Sequence, residues 1–323
     1  METLNHNELI IPEREIITTN KKPFIEANTK DVSLSHLETD CVIPVFSKDN
    51  EMTISHQEFI HNALGVAEQI FGGSRSLIPE IRTSHVVKGR IPSAIGKPVK
   101  DLLDNEKTLY YERMMFAIEI PGVTAMINGN QLNLTLGGIR AYNHENLYNK
   151  KTFERFKFFI GFKNMVCCNM CVSSDGYVGD IRVASTQELE SKIFEIINSY
   201  NQQAHITALQ KFPEYELSER QFAQLIGRCR LYNYLPKQEK ENLTPLLMND
   251  GQIATVAKQY YEDENFHRNG NGSINLWNFF NLFTEANKSS YIDTFTERSL
   301  NAYELTQAIQ NSLENKTSNW FLN

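Results

Sequence analysis

No run in this chain of 323 residues approaches the ~18 consecutive apolar residues of a membrane-crossing helix. The first residues, METLNHNELIIPEREI, are polar and acidic and lack the apolar stretch and small-residue cleavage site of a secretory signal. There is no glycine-rich phosphate loop of Walker or dinucleotide type, no G-x-S-x-G elbow and no paired-carboxylate nuclease signature, which argues against a nucleotide-driven enzyme, a hydrolase of that type and a metal nuclease. Cysteine is scarce too: five residues, three of them clustered, do not make a disulfide framework. These absences together predict a cytoplasmic protein with no membrane partner, in which the N-x-S/T sequons, Asn133 among them, are not glycosylated.

What is present is a composition able to bury a full core, with 41% hydrophobic and 22% charged residues. The net charge of −7 is unevenly spread. Residues 1–71 carry five Lys/Arg against twelve Asp/Glu, residues 72–163 fourteen against eight, and residues 164–323 thirteen against nineteen. The middle block, +6, is compatible with a positively charged groove, or with cations that pair with flanking acidic helices.

Residues 1–50 are polar, with short apolar clusters at Leu9–Ile11 and Val42–Phe46, and read as a partly disordered arm. Residues 51–184 read as a sheet domain. Ser55 and Glu58 form a capping box for a helix that ends at Gly72-Gly73. Strands follow at Ile81–Lys88, Tyr110–Ile120, Val123–Ile127 and Gln131–Tyr142, with a helical turn near Val99–Leu103 and a hairpin signal in Asn128-Gly129. Phe156–Val172 alternates with period two: Phe156, Phe158, Ile160, Phe162, Val166, Cys168, Met170 and Val172 on one face, broken once by Asn164, and Lys157, Gly161, Lys163, Cys167, Asn169 and Cys171 on the other. This predicts a half-buried hairpin turning near Lys163-Asn164, with Gly176–Val183 as a further strand.

Residues 185–323 carry helical stripes instead: Leu189 to Ala204 as one long helix behind Ser185 and Glu188, then Phe222–Cys229 behind Ser218 and Gln221, Ile253–Tyr260, Leu276–Phe283, and a last helix capped by Asn301 and Glu304. Pro213 marks the predicted internal boundary. Strands followed by helices define an α+β protein: a mainly antiparallel sheet domain with a flanking helix, then a helical C-terminal portion packed on the sheet.

Cys168-x-x-Cys171 has redox spacing, but on a strand the two would point to opposite faces, and no second ligand pair exists for zinc, so buried apolar cysteine is the favoured reading. The loop His267–Asn278 resembles an EF-hand but carries no carboxylate, which excludes a calcium site; no cofactor or metal is predicted. Ser84 and His85, adjacent on a strand, are expected to point apart and so cannot pair as nucleophile and base. Lys88, Gly89 and Arg90 suit anion contact, or a solvated turn.

From Arg140 through Lys150, Lys151, Arg155, Lys157 and Lys163, cations interleave with Tyr142, Tyr148, Phe153, Phe156 and Phe159. Single-stranded nucleic acid asks for this pattern, because phosphates meet cations while bases stack on rings. A core of rings with snorkelling lysines produces it equally. The site residues expected for nucleic acid are Lys88, Arg90, Arg140, Tyr142, Lys150, Lys151, Phe153 and Lys157. The alternative is a protein-interaction module, or homo-oligomer, using the acidic arm and Trp320-Phe321. An enzyme using Ser84, His85 and Asn169 ranks last.

The stretches IRTSHVVKGRIP (81–92), EKTLYYERMMFAIEIP (106–121), LTLGGIRAYN (134–143), FKFFIGFKNMVCCNMCV (156–172) and LWNFFNLFTEANKSSYIDTF (276–295) resemble an uncharacterised bacterial family carried largely on conjugative and phage-like elements. That family is itself distantly similar to the "phage/plasmid-like protein" group of unknown function. The group's recurring Cys-Asn pair and its helix with Trp, Asn and Thr match Cys168-Asn169 and Trp277, Asn281 and Thr284 here. The resemblance implies a mobile-element setting and no particular chemistry.

Overall fold

The computed structural model describes residues 22–41, 53–72, 77–94, 96–142 and 153–323. Its centre is a six-stranded antiparallel meander in the order β1 (Lys30–Asp31), β2 (Pro79–Arg90), β3 (Lys107–Ile127), β4 (Asn130–Ala141), β5 (Glu154–Asn164) and β6 (Met170–Val183). Between β1 and β2 lie α1 (Leu34–Thr39) and α2 (His56–Phe71). The α+β class expected from the sequence is the one observed.

Local chemistry sets these elements. Ile127 pairs with Asn130 across a two-residue turn in which Asn128 and Gly129 both take positive φ, 46° and 77°, the backbone that a tight hairpin requires. Ser55 accepts from the Glu58 N–H (3.2 Å) while the Glu58 carboxylate accepts from the Ser55 N–H (2.6 Å), so the capping box that starts α2 is complete. The β5–β6 hairpin turns slightly later than expected. Lys163 pairs with Met170, and residues 165–169 form the turn, with Cys168 at φ 60°. Cys167 and Cys168 therefore sit in the turn and only Cys171 is on a strand, so strand alternation does not govern their directions.

One face of the sheet carries Phe116, Ile118, Leu134, Leu136, Phe156, Phe158 and Ile160. Phe59 of α2 packs edge-on to Phe116 and Phe156, at ring separations of 5.0 and 4.8 Å. Gly138 permits this approach: a Cβ there would lie 2.3 Å from the Phe59 ring. The other face, expected to be half exposed, is covered as well. Met115, Ala117, Ile139, Phe159, Met170 and Val172 pack with Phe24 and Ile25 from the N-terminal segment and with Ile292 and Phe295 from α9 (Ile292–Asn315). From the predicted arm, Phe24, Ile25 and Leu37 are buried in the core, while most other described residues of 22–41 are exposed or half-buried; Leu9–Ile11 and Val42–Phe46 lie outside the described residues.

The helical portion comprises α3 (Thr186–Ser199), α4 (Gln202–Lys211), α5 (Glu219–Tyr232), α6 (Lys237–Lys240), α7 (Asp250–Glu262), α8 (Leu276–Asn287) and α9. The stripe from Leu189 to Ala204 is two helices, because Asn201 leaves helical geometry and caps α4 by accepting from the Ala204 N–H (3.0 Å). Asn301 caps nothing. It is buried inside α9, where its side chain accepts from the Leu247 N–H (2.8 Å) and donates to the Pro245 carbonyl (2.7 Å). Two short strands, β7 (Glu216–Leu217) and β8 (Ile274–Asn275), pair and tie the α4–α5 and α7–α8 units together. The EF-hand-like loop is closed by its own amides, with Asn269 donating to Ser273 (3.0 Å) and Glu216 (3.2 Å).

Candidate functional site

The predicted nucleic-acid residues divide into an outer and an inner set. The outer set lies on the arm formed by β2, β3 and the residues between them. Lys88 is exposed, as is its neighbour on the arm Lys100, which was not among the predicted residues, and neither has a carboxylate partner among the described residues. Arg90 donates to the Lys97 carbonyl, Lys97 pairs with Glu106, and Lys107 pairs with Asp104 (2.7 Å). Val86, Val99 and Leu103 are exposed on the same arm. The register Arg113–Ala141 and Ile139–Lys157 brings the start of β5, where Phe153 is 61% exposed, to this end of the sheet. Lys150 and Lys151 lie outside the described residues.

The inner set is in the core. Arg140 is fully buried: it pairs with Glu154 (2.5 Å), donates to the Arg155 carbonyl (3.0 Å) and lies over the Phe156 ring at 4.1 Å. Glu154 also accepts from the Ile54 N–H (3.0 Å). Tyr142 is buried and stacks on His56 at 4.6 Å. Burial, with the Arg140 charge adding to it, lowers the His56 pKa to about 3 against the accepting Tyr111 carbonyl (2.9 Å). Lys157 binds Glu297 and the Asp293 carbonyl on α9 and lines a concavity of about 160 Å³ with Arg155, Gly179 and Asp180. Lys163 is fully buried between Glu80 (2.7 Å) and Glu119 (3.0 Å); desolvation opposes its charge, but the two carboxylates hold its pKa above the ordinary lysine value. Much of the basic block is thus neutralised inside the fold, partly by acids of α9. The sequence signal for this was present in Glu80, Glu119 and Glu154, which antiparallel pairing carries to the cations.

Ser84 and His85 do approach each other, contrary to expectation. His85 takes φ 57°, which breaks the alternation and brings its Nδ1 to 3.1 Å from Ser84 Oγ. Asn169, the third member of the enzymatic reading, is elsewhere. Ser84 pairs with Arg113 opposite Ala141, while the turn of Asn169 lies beyond the Leu132–Asn164 pair, roughly 30 Å along the sheet at about 3.3 Å per residue. Trp320 and Phe321 pack on Tyr232, and Phe321 is buried.

Of the residues singled out in the β5–β6 turn and on α8, Asn169 and Asn281 meet. Asn281 on α8 accepts from Asn164 Nδ2 (3.0 Å) and from the Cys167 thiol (3.7 Å), and its carbonyl accepts from Asn169 Nδ2 (3.0 Å). Trp277 donates to Asn130 (2.7 Å), Thr284 donates to the Asn281 carbonyl (3.1 Å), and Lys288 donates to the Cys167 carbonyl. Burial pushes the Cys167 thiol up to about 12, and the Cys171 thiol is also raised well above its usual value. This network fastens the β5–β6 turn to α8. Among the described residues no cluster of three or more His, Cys, Asp or Glu could hold a metal ion.

His205, missed by sequence reasoning, is buried on α4 among Phe162, Tyr200 and Tyr303, with Nδ1 2.7 Å from the Tyr200 hydroxyl. Burial lowers its pKa to about 4, against the attraction of Asp175. A depressed histidine pKa gives stability that is present above the unfolded value, near 6.5, and is lost as pH falls toward 4. The urea-unfolding free energy is expected to drop by roughly 2 kcal/mol over that window on account of this residue, and His205→Gln is expected to flatten the drop.

An antiparallel sheet buried on both faces and braced by a helical half is the class of molecule seen here. The chain belongs to the family described as "Domain of unknown function, B. Theta Gene description (DUF3871)", whose model matches residues 4–322. No curated protein and no solved structure matches it. Among the described residues no helix is long and apolar enough to cross a membrane.

Proposed function

We propose that this protein binds single-stranded nucleic acid without catalysing a reaction on it, in the setting of a mobile genetic element. The β2–β3 arm carries the reading: Lys88, Arg90, Lys97, Lys100 and Lys107 are gathered there, with Lys88 and Lys100 solvent-facing and Phe153 exposed at the same end of the sheet. Cations hold phosphates and an exposed ring offers a stacking surface. Arg140, Tyr142 and Lys157 belong to the scaffold in this reading, and the contacts fall to Lys88, Arg90, Lys100 and Phe153. Fluorescence polarisation with labelled single-stranded DNA and RNA at low salt tests it. Salt-sensitive binding is expected, and Lys88→Gln/Lys100→Gln should reduce the log–log salt slope by about 1.4, from ~0.7 per phosphate contact. Absence of salt-dependent affinity for either polymer would overturn it.

The second reading, self-association or capture of a protein partner, is favoured by the exposed Val86, Val99 and Leu103 on the arm. Sedimentation velocity separates the two. A concentration-dependent oligomer abolished by Val99→Asp/Leu103→Asp, without nucleic-acid affinity, would favour the second.

A further inference from the structure

Four of the five cysteines are buried, at 5% exposure or less; Cys41 alone is partly open. It lies just past the end of α1, held to β3 by a backbone bridge to Leu109. Its Sγ is 3.8 Å from His36 Nε2. His36 Nδ1 is in turn 2.8 Å from Asp40 Oδ2, which fixes the ring and leaves Nε2 as the basic nitrogen. A nucleophile, a base within reach and a carboxylate orienting that base make up the arrangement of an activated thiol. One group competes for the base: the Tyr111 hydroxyl, on β3, is 3.0 Å from the same Nε2.

We propose that Cys41 is a reactive thiol that forms mixed disulfides with low-molecular-mass disulfides, using His36 as its base and Tyr111 as the group that keeps that base occupied. The Cys41 proton passes to His36 Nε2, and the sulfur's electron pair attacks one sulfur of the disulfide. The S–S bond breaks, and the departing thiolate takes the proton from the imidazolium. The products are a mixed disulfide on Cys41 and one free thiol. Disulfide exchange asks of the protein only a thiolate at the moment of attack and a proton for the leaving sulfur, and His36 supplies both. Burial, reinforced by the Asp40 charge, pushes the thiol up to about 12, so it rests protonated and depends on the base. Among the described residues, the groups facing His36 are Asp40 and Cys41 from its own segment and Tyr111 from the sheet; His61 on α2 is engaged by Glu38 (2.7 Å).

The full chain incubated with oxidised glutathione, followed by intact-mass and peptide mass spectrometry, tests this. One adduct, on Cys41, is expected. His36→Gln should slow it by roughly a hundredfold. Tyr111→Phe, which frees Nε2, should accelerate it about fivefold at Cys41 and leave Cys167, Cys168, Cys171 and Cys229 unmodified. Loss of structure in a variant would instead open all five, so the two effects are separable. The wild-type rate should not track the ionisation of the Cys41 thiol itself. A His36→Gln rate equal to wild type, a Tyr111→Phe rate no faster than wild type, or a rate that climbs about tenfold per pH unit toward the thiol's own titration would each overturn the proposal.

Discussion

Glu154→Gln is expected to lower the unfolding free energy by roughly 3–5 kcal/mol, measured from urea denaturation followed by tryptophan fluorescence. The substitution keeps an oxygen for the Ile54 N–H but leaves the Arg140 guanidinium charged in a site with no exposure. Against a typical total of about 5–15 kcal/mol, such a loss is a large fraction of the stability. The sign of the double variant is the sharper check. Arg140→Met/Glu154→Gln removes the buried cation together with its carboxylate and should be more stable than Glu154→Gln alone, because desolvating the ion pair offsets much of its attraction. A double variant less stable than the single would show that the pair contributes more than its desolvation costs.

Asn281→Leu is the second large effect, with an expected cost of about 3 kcal/mol. The leucine is near in volume but strands Asn164 Nδ2 and the Cys167 thiol in a dry interior, at ~1–3 kcal/mol for an unsatisfied group. Asn164→Leu added to it should cost less than the sum of the two single changes, since the partners are then removed together. Hydrogen exchange of the 165–169 turn gives an independent reading: faster exchange there, with β3 and β4 unchanged, is the expected pattern.

Much of the sheet was legible because its signals are local. Asn128-Gly129 dictates its hairpin within four residues, and Ser55 with Glu58 specifies a helix start within one turn. The second face was misread because its cover is remote: Ile292 and Phe295 meet Met115 and Phe159 from more than a hundred residues away. Arg140, Lys157 and Lys163 looked like a working surface for the same reason. Their neutralising carboxylates, Glu154, Glu297, Glu80 and Glu119, come from other elements, and one strand's alternation cannot reveal them. The cysteine cluster was judged correctly as buried, although two of its members occupy the turn and not the strand. His36, Asp40, Cys41 and Tyr111 went unnoticed because Tyr111 joins the first three only through the fold.

The dependence of that second face on α9 has a consequence for biosynthesis. Val183 ends the last strand of the six-stranded sheet and Ile292 begins α9, so more than a hundred residues separate completion of that sheet from the arrival of its second cover. At ~5–20 residues per second this is a delay of roughly 5–20 s. During that interval Met115, Ile139 and Phe159 stand uncovered by α9, and Lys157 and Arg113 wait for carboxylates not yet made. The sheet therefore matures after its own translation is over, and the nascent chain is most vulnerable to misassembly while the helical half is being synthesised.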